Sequence, residues 1–146
     1  MDTTQQPQSF DINQVEYKVN EPITEDQFKT LLNETTLGAR RPLSNDKAVS
    51  AMLKHADILI TAWVGTRLVG VARSLTDYEY CCYLSDLAVS IPKCGIGKEL
   101  IKQTCKQLSP SCRVILLSAP QAVEYYPKVG FQQHNSCWTE LAEKFL

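Results

Sequence analysis

Long apolar runs are absent from this chain, and none approaches the about 20 residues that span a bilayer as a helix. An excess of either charge is absent too: 15 basic residues stand against 16 acidic ones, a net charge of −1 with histidine neutral. That balance gives no general pull toward nucleic acid or an anionic membrane. The first 13 residues, MDTTQQPQSFDIN, lack the basic and apolar stretches of a secretory signal, so a cytoplasmic location is expected. Six cysteines are present, yet no two follow the Cys-x-x-Cys spacing of zinc sites. No metal is therefore expected, and the thiols are expected to be free, as in a reducing compartment.

What is there suits one globular domain: 146 residues, 44% hydrophobic and 21% charged. Residues 1–13 read as a flexible polar arm and residues 14–146 as the domain. VEYKV at 15–19 alternates like a short strand. Thr24, with Gln27 three residues later, is a capping-box candidate for a helix over about 25–33. TTLGARRP reads as loop. Ser44 or Asn45 can cap a second helix, DKAVSAMLKHA, in which Val49, Met52 and Leu53 recur at helical spacing. DILITAWVGTRLVGVARSL is two β-branched runs joined at Gly65-Thr66, a hairpin signal. YCCYLSDLAV at 80–89 predicts a central strand. KELIKQTCKQL predicts a helix that buries Leu100, Ile101, Thr104, Cys105 and Leu108 on one stripe. RVILLSA at 113–119 predicts a strand covered on both faces. QAVEYYPKVG predicts a short helix ended by Gly130, and FQQHNSCW a last strand. The expected class is α/β, a single-domain mixed sheet of about six strands flanked by helices, mostly antiparallel in its first half.

Between the central strand and the next helix lies PKCGIGKEL, Pro92 to Leu100. A strand, a glycine turn and a helix start make an anion site, because the first N–H groups of a helix lack partners and its dipole is positive there. Glycine lets the backbone approach a ligand and take positive φ. Two phosphate loops fail the test. The P-loop needs Ser or Thr after Gly97-Lys98, where Glu99 stands. The dinucleotide fingerprint needs a third glycine, where Leu100 stands.

YLSDLAV, GIGKELI and AVEYYPKVGF, in this order and spacing, resemble the GNAT superfamily of N-acetyltransferases. The resemblance covers roughly 80–131, and the order of elements in the whole chain agrees with it. It implies the acetyltransferase fold, acetyl-CoA as cosubstrate and a primary amine as acceptor. It further implies that Leu87, Ala88 and Val89 offer backbone hydrogen bonds to the pantetheine arm. Cys94, Gly95, Ile96, Gly97 and Lys98 would offer N–H groups to the pyrophosphate. Tyr126 matches the tyrosine that protonates the departing thiolate. Departures from the family's pattern are Pro92, where Gln or Arg is usual, and a shortened loop between Val89 and Gly95. Ala119 stands where an Asn is often found.

The chemistry can be read without the resemblance. An attacking ammonium must first lose a proton, and a carboxylate beside the cleft can accept it. Asp86, three residues before Val89, is the candidate; the alternative is a strand carboxylate held by backbone or by a basic partner. Glu79 is second, or a solvated turn residue. A phenol, with pKa about 10, can donate to a thiolate at neutral pH, and Tyr126 is the candidate; packing is its alternative, and Tyr125 is assigned to packing. His134 and Cys137, three apart in a predicted strand, face opposite ways and make a poor nucleophile pair. Trp63 and Trp138 read as core or cleft wall, and Arg40 and Arg41 as solvated loop residues or as a greeting for an acidic acceptor. Asp77, Glu79 and Asp86 would equally suit a cationic amine. A small-molecule or peptide amine is the expected acceptor, with a homodimer left open. The competing functions are an acyl-CoA-binding module without turnover and, more remotely, a nucleotide-binding interaction domain.

Overall fold

Alternation of apolar side chains builds the sheet. Residues 12–92 and 94–146 are described by the structure, a computed structural model; the arm expected over residues 1–13 lies outside them but for its last two residues. The strands are β1 (Val15–Val19), β2 (Ile58–Val64), β3 (Arg67–Thr76), β4 (Cys81–Val89) and β5 (Arg113–Ile115). They lie in that order in one sheet, antiparallel from β1 to β4 and parallel between β4 and β5. Because neighbouring residues of a strand face opposite ways, β2 feeds two cores. Ile58, Ile60 and Ala62 join Leu84, Ile96 and Leu100 on one face. Leu59 and Trp63 join Phe28, Leu31 and Val49 on the other.

Helices cover both faces. Helix α1 (Glu25–Asn33) starts at the capping box, Thr24 Oγ1 accepting from Gln27 N and Gln27 Oε1 from Thr24 N. It buries Phe28, Leu31 and Leu32. Helix α2 (Asp46–Lys54) is capped by Asn45, whose Oδ1 accepts from Ala48 N. Helix α3 (Ile96–Cys105) packs on the opposite face. It fits closely because Gly70 lies beneath: a Cβ there would stand 3.0 Å from Leu100 and 3.1 Å from Ile96. All six cysteines are free thiols. No helix among the described residues is long and apolar enough to cross a membrane.

The C-terminal third differs from the expectation. Strand β5 stops at Ile115, and Arg113 and Ile115 are exposed rather than covered on both faces. Its only strand partner among the described residues is β4, through Tyr83↔Ile115, and β4 then bulges at Ser85, since the β3 register steps from Arg73↔Asp86 to Ser74↔Leu84. A bulge bends its strand and breaks the ladder, so among the described residues the pairing of β5 with β4 ends at Ile115. The expected helix over 121–130 is a 3-10 turn at Pro120–Ala122 followed by α4 (Tyr125–Lys128). The last strand predicted at FQQHNSCW does not form. A strand there needs a ladder to extend, and a three-residue β5 offers little of one. The sheet therefore has five strands where about six were expected.

Candidate functional site

Parting of β4 from β5 opens a cleft. Beyond Tyr83, the edge of β4 turned away from β3 has no strand partner among the described residues. Leu87, Ala88 and Val89 lie on this stretch, their other edge paired with Ala72, Val71 and Gly70. Arg41, Ser85, Leu87, Leu116, Ala119 and Tyr126 are among the residues lining a cavity of about 50 Å³ where the strands diverge. A single water needs only about 10–15 Å³ by the same kind of measure, so the space admits small polar groups.

At the far end of β4 the chain turns into α3. Ser90 N donates to Val69 O at 2.9 Å, and Cys94 Sγ donates to Pro92 O at 3.3 Å. Gly95 then takes φ 74° as the N-cap of α3, a conformation that glycine adopts without a Cβ penalty. No side chain among the described residues caps the helix. The first N–H groups, those of Ile96, Gly97 and Lys98, have no acceptor within the helix, while Glu99 N already bonds Gly95 O. Ile96 contributes its backbone only, its side chain being buried in the core. Positive φ thus falls on Gly95 and not on Gly97, which lies within α3. Gly97 serves close approach: a Cβ there would stand 2.5 Å from the Tyr125 hydroxyl. Tyr125, assigned to packing from the sequence, has its hydroxyl at the start of α3.

Tyr126 is half-buried beside it. Its ring meets Tyr125 edge-on at 5.3 Å and Phe131 at 5.7 Å. Phe131 N donates to Tyr126 O at 3.0 Å, which brings that ring back onto α4. Burial raises the Tyr126 pKa above the usual tyrosine value and the neighbouring Tyr125 adds to the rise, while the charge of Arg41 opposes it. The phenol is therefore protonated at neutral pH and able to donate.

Asp86 is fully buried. Its Oδ1 accepts from Arg41 Nε and its Oδ2 from Arg73 Nε. Arg73 Nη2 donates to Ser85 Oγ at 2.9 Å, and Arg41 Nη2 donates to Ser85 O at 2.7 Å. The bulge explains this last bond: the carbonyl of the extra residue has lost its ladder partner, and Arg41 supplies one. Both carboxylate oxygens are engaged and shielded, so Asp86 is not placed to take a proton from an incoming amine. The geometry corresponds to the alternative, a strand carboxylate held by basic partners. Arg41, one of the loop arginines, is no solvated residue either, with 19% of its side chain exposed. Arg73 escaped the sequence reading, although an arginine inside an apolar strand is itself a sign of a buried partner.

The remaining candidates do not converge on the cleft. Asp77 Oδ1 accepts from the N–H groups of Glu79, Tyr80 and Cys81 in the β3–β4 turn, at the opposite end of β4 from Val89. Those bonds, led by Tyr80, lower its pKa. Glu79 is exposed in the same turn. Trp63 is core, its Nε1 donating to Thr61 Oγ1, whereas Trp138 is 92% exposed and walls nothing. His134 and Cys137 are exposed. Among the described residues no cluster of three metal-ligating side chains occurs.

Residues 21–140 match the family model of the acetyltransferase (GNAT) domain. No curated protein sequence matches the chain. Solved structures share its fold. A GNAT-family acetyltransferase of Streptococcus pneumoniae TIGR4 is 22% identical, with a TM-score of 0.67 over 86% of this chain and 98% of its own. An aminoglycoside acetyltransferase from an uncultured soil metagenomic sample is 18% identical, with a TM-score of 0.62 over 88% and 97%. Arabidopsis thaliana Naa50, in complex with the bisubstrate analogue CoA-Ac-MVNAL, is 20% identical, with a TM-score of 0.58 over 84% and 85%.

Proposed function

The chain belongs to the GNAT acetyltransferase family, and on that premise we propose that it moves an acetyl group from acetyl-CoA to a primary amine by direct attack. One convergence carries this reading: Tyr126 lines the cleft where β4 loses its partner, and its neighbour Tyr125 touches the uncapped start of α3. The similar structures include an aminoglycoside acetyltransferase and Naa50 in complex with the bisubstrate analogue CoA-Ac-MVNAL, which supports an amine acceptor, small-molecule or peptide.

Two observations of this chain fit acetyl-CoA. The free edge of β4 at Leu87, Ala88 and Val89 offers backbone donors and acceptors of the kind an amide-bearing arm requires. The turn Cys94–Lys98 offers uncapped N–H groups, with Lys98 exposed beside them, to a pyrophosphate. Bound acetyl-CoA supplies a thioester whose carbonyl carbon takes the amine nitrogen, so that a C–N bond forms and the C–S bond breaks. The Tyr126 hydroxyl gives its proton to the departing sulfur. The proton shed by nitrogen goes to water, because no carboxylate is among the residues lining the cleft. Asp86 acts as a positioning residue, holding Arg41 and Arg73 in place.

Calorimetric titration with CoA, acetyl-CoA and ATP, followed by thiol release against a panel of amines, tests the proposal. Binding of both CoA species but not ATP, with thiol released only when an amine is present, is expected. Binding without release from any amine would reduce the protein to an acyl-CoA-binding module.

A further inference from the structure

Acceptor choice depends on the charge of the cleft wall. Among the residues lining the cleft, Arg41 is the one charged side chain. The three carboxylates that the sequence offers to a cationic substrate are engaged or elsewhere. Asp86 is shielded by two guanidinium groups, Asp77 closes the β3–β4 turn, and Glu79 stands in that same turn. Two arginines share one carboxylate, which leaves the network of Arg41, Arg73 and Asp86 with a net charge of +1 (two positive, one negative). Arg73 is interior, so the excess is presented through Arg41.

Arg41 also has donors to spare. A guanidinium carries five N–H groups, and the bonds to Asp86, to Arg40 O and to Ser85 O use three of them. The other two have no protein acceptor among the described residues. The group cannot swing away to find one, because Asp86 and the bulge at Ser85 hold it on the wall. A guanidinium fixed on the cleft wall with N–H groups to spare can donate to the oxygens of a carboxylate.

We infer that the acceptor is a small amino carboxylate, its anionic end held by Arg41 and its amine directed toward Tyr126. This rests on the acetyl-transfer reading and narrows it. A polycationic amine would meet the excess positive charge of this network and no carboxylate among the lining residues.

A matched series tests the inference: amino carboxylates, the corresponding amino amides and diamines of equal chain length, followed by thiol release and compared per unit of neutral amine. The amino carboxylate is expected to show a kcat/KM about tenfold or more above the amide, in line with a charge-assisted hydrogen bond, and the diamine the lowest. Added salt should narrow the gap. A second readout is direct binding of the amino carboxylate to the CoA-loaded protein by calorimetry. That binding should weaken about tenfold in Arg41→Gln, by the same charge-assisted bond, and less in Arg41→Lys. Should Arg41→Gln fail to fold, the wild-type series decides alone. Thiol release with no preference, or with the diamine preferred, overturns this inference and leaves acetyl transfer standing. Absence of release from every amine overturns both.

Discussion

The sheet from β1 to β4 and the chain after α3 are built on opposite terms. In the first region six successive residues of β2 are buried, from Ile58 to Trp63, and helices cover both faces of the sheet. In the second, Ala119 is the only residue beyond Thr104 that is buried, whereas Ile115, Leu117, Val123, Trp138, Leu141 and Phe145 are exposed. Yet the second region supplies Tyr126 and one wall of the cleft. A scaffold that holds its own shape carries the backbone edges, and a lightly packed segment brings Tyr126, the acid proposed above, to it. Segments with few buried contacts open at lower free energy than the core does. On the proposed reading, that lets the cleft admit and release substrate without disturbing the sheet.

The largest effect expected from breaking this division is catalytic and lies in the second region. Tyr126→Phe keeps the ring, and with it the edge-on contacts to Tyr125 and Phe131. It should leave CoA binding and thermal stability unchanged and lower kcat by about 10²–10⁴-fold, the usual share of a general acid. Burial raises the tyrosine's pKa, so the protonated acid persists as pH rises. Wild-type kcat should accordingly show no alkaline fall below about pH 10, the ordinary tyrosine value. Single-turnover rates across pH check both statements, and equal rates in the two proteins would return Tyr126 to packing.

Next in size is a break in the first region. Asp86→Asn keeps the shape of the side chain but leaves Arg41 and Arg73 without their shared carboxylate, in a place where Asp86 is fully buried. Removing one partner of a buried ion pair costs about 3–5 kcal/mol. Urea denaturation should register a loss of that order, with kcat/KM falling through the displaced Arg41. The rising limb of the pH profile should still follow the pKa of the amine used, in wild type and variant alike. A variant of wild-type stability whose limb no longer tracks the amine would make Asp86 a base after all.

How much of this was readable beforehand follows the same division. Local rules wrote the first region. The Thr24–Gln27 capping box, the hairpin at Gly65-Thr66 and the apolar strand ending at Val89 each depend on residues a few positions apart, and each is where the sequence suggests. The glycine turn before α3 was equally readable. What failed depends on one distant event, the bulge at Ser85. Nothing in RVILLSA states that its partner strand will bend away after Tyr83, so the run looks like a full strand and forms three residues of one. The same bulge turns Arg41, 44 positions earlier in the chain, from a surface residue into a clamp. Asp86 was noticed for its place on β4, but its engagement appears only when the α1–α2 loop and β3 are brought against it.

The smallest effect is expected where the second region is most open. Trp138 is the largest side chain of the tail and is 92% exposed, so Trp138→Ala removes almost no buried area. Surface substitutions of this kind usually stay within about 0.5 kcal/mol. Leu100→Ala supplies the contrast, since Leu100 is fully buried between α3 and the sheet and abuts Gly70. Deleting its side chain should cost about 2–5 kcal/mol through lost burial and the cavity left behind. Denaturation curves for the two variants, run side by side, measure the difference between the regions directly. A loss above about 1 kcal/mol for Trp138→Ala, outside the range of ordinary surface changes, would mean that the indole is covered in solution. FQQHNSCW would then have found a partner that β5 alone does not offer it. Tryptophan fluorescence separates the two cases: Trp138 open to water should be quenched freely by iodide, while Trp63, 8% exposed in the core, should not.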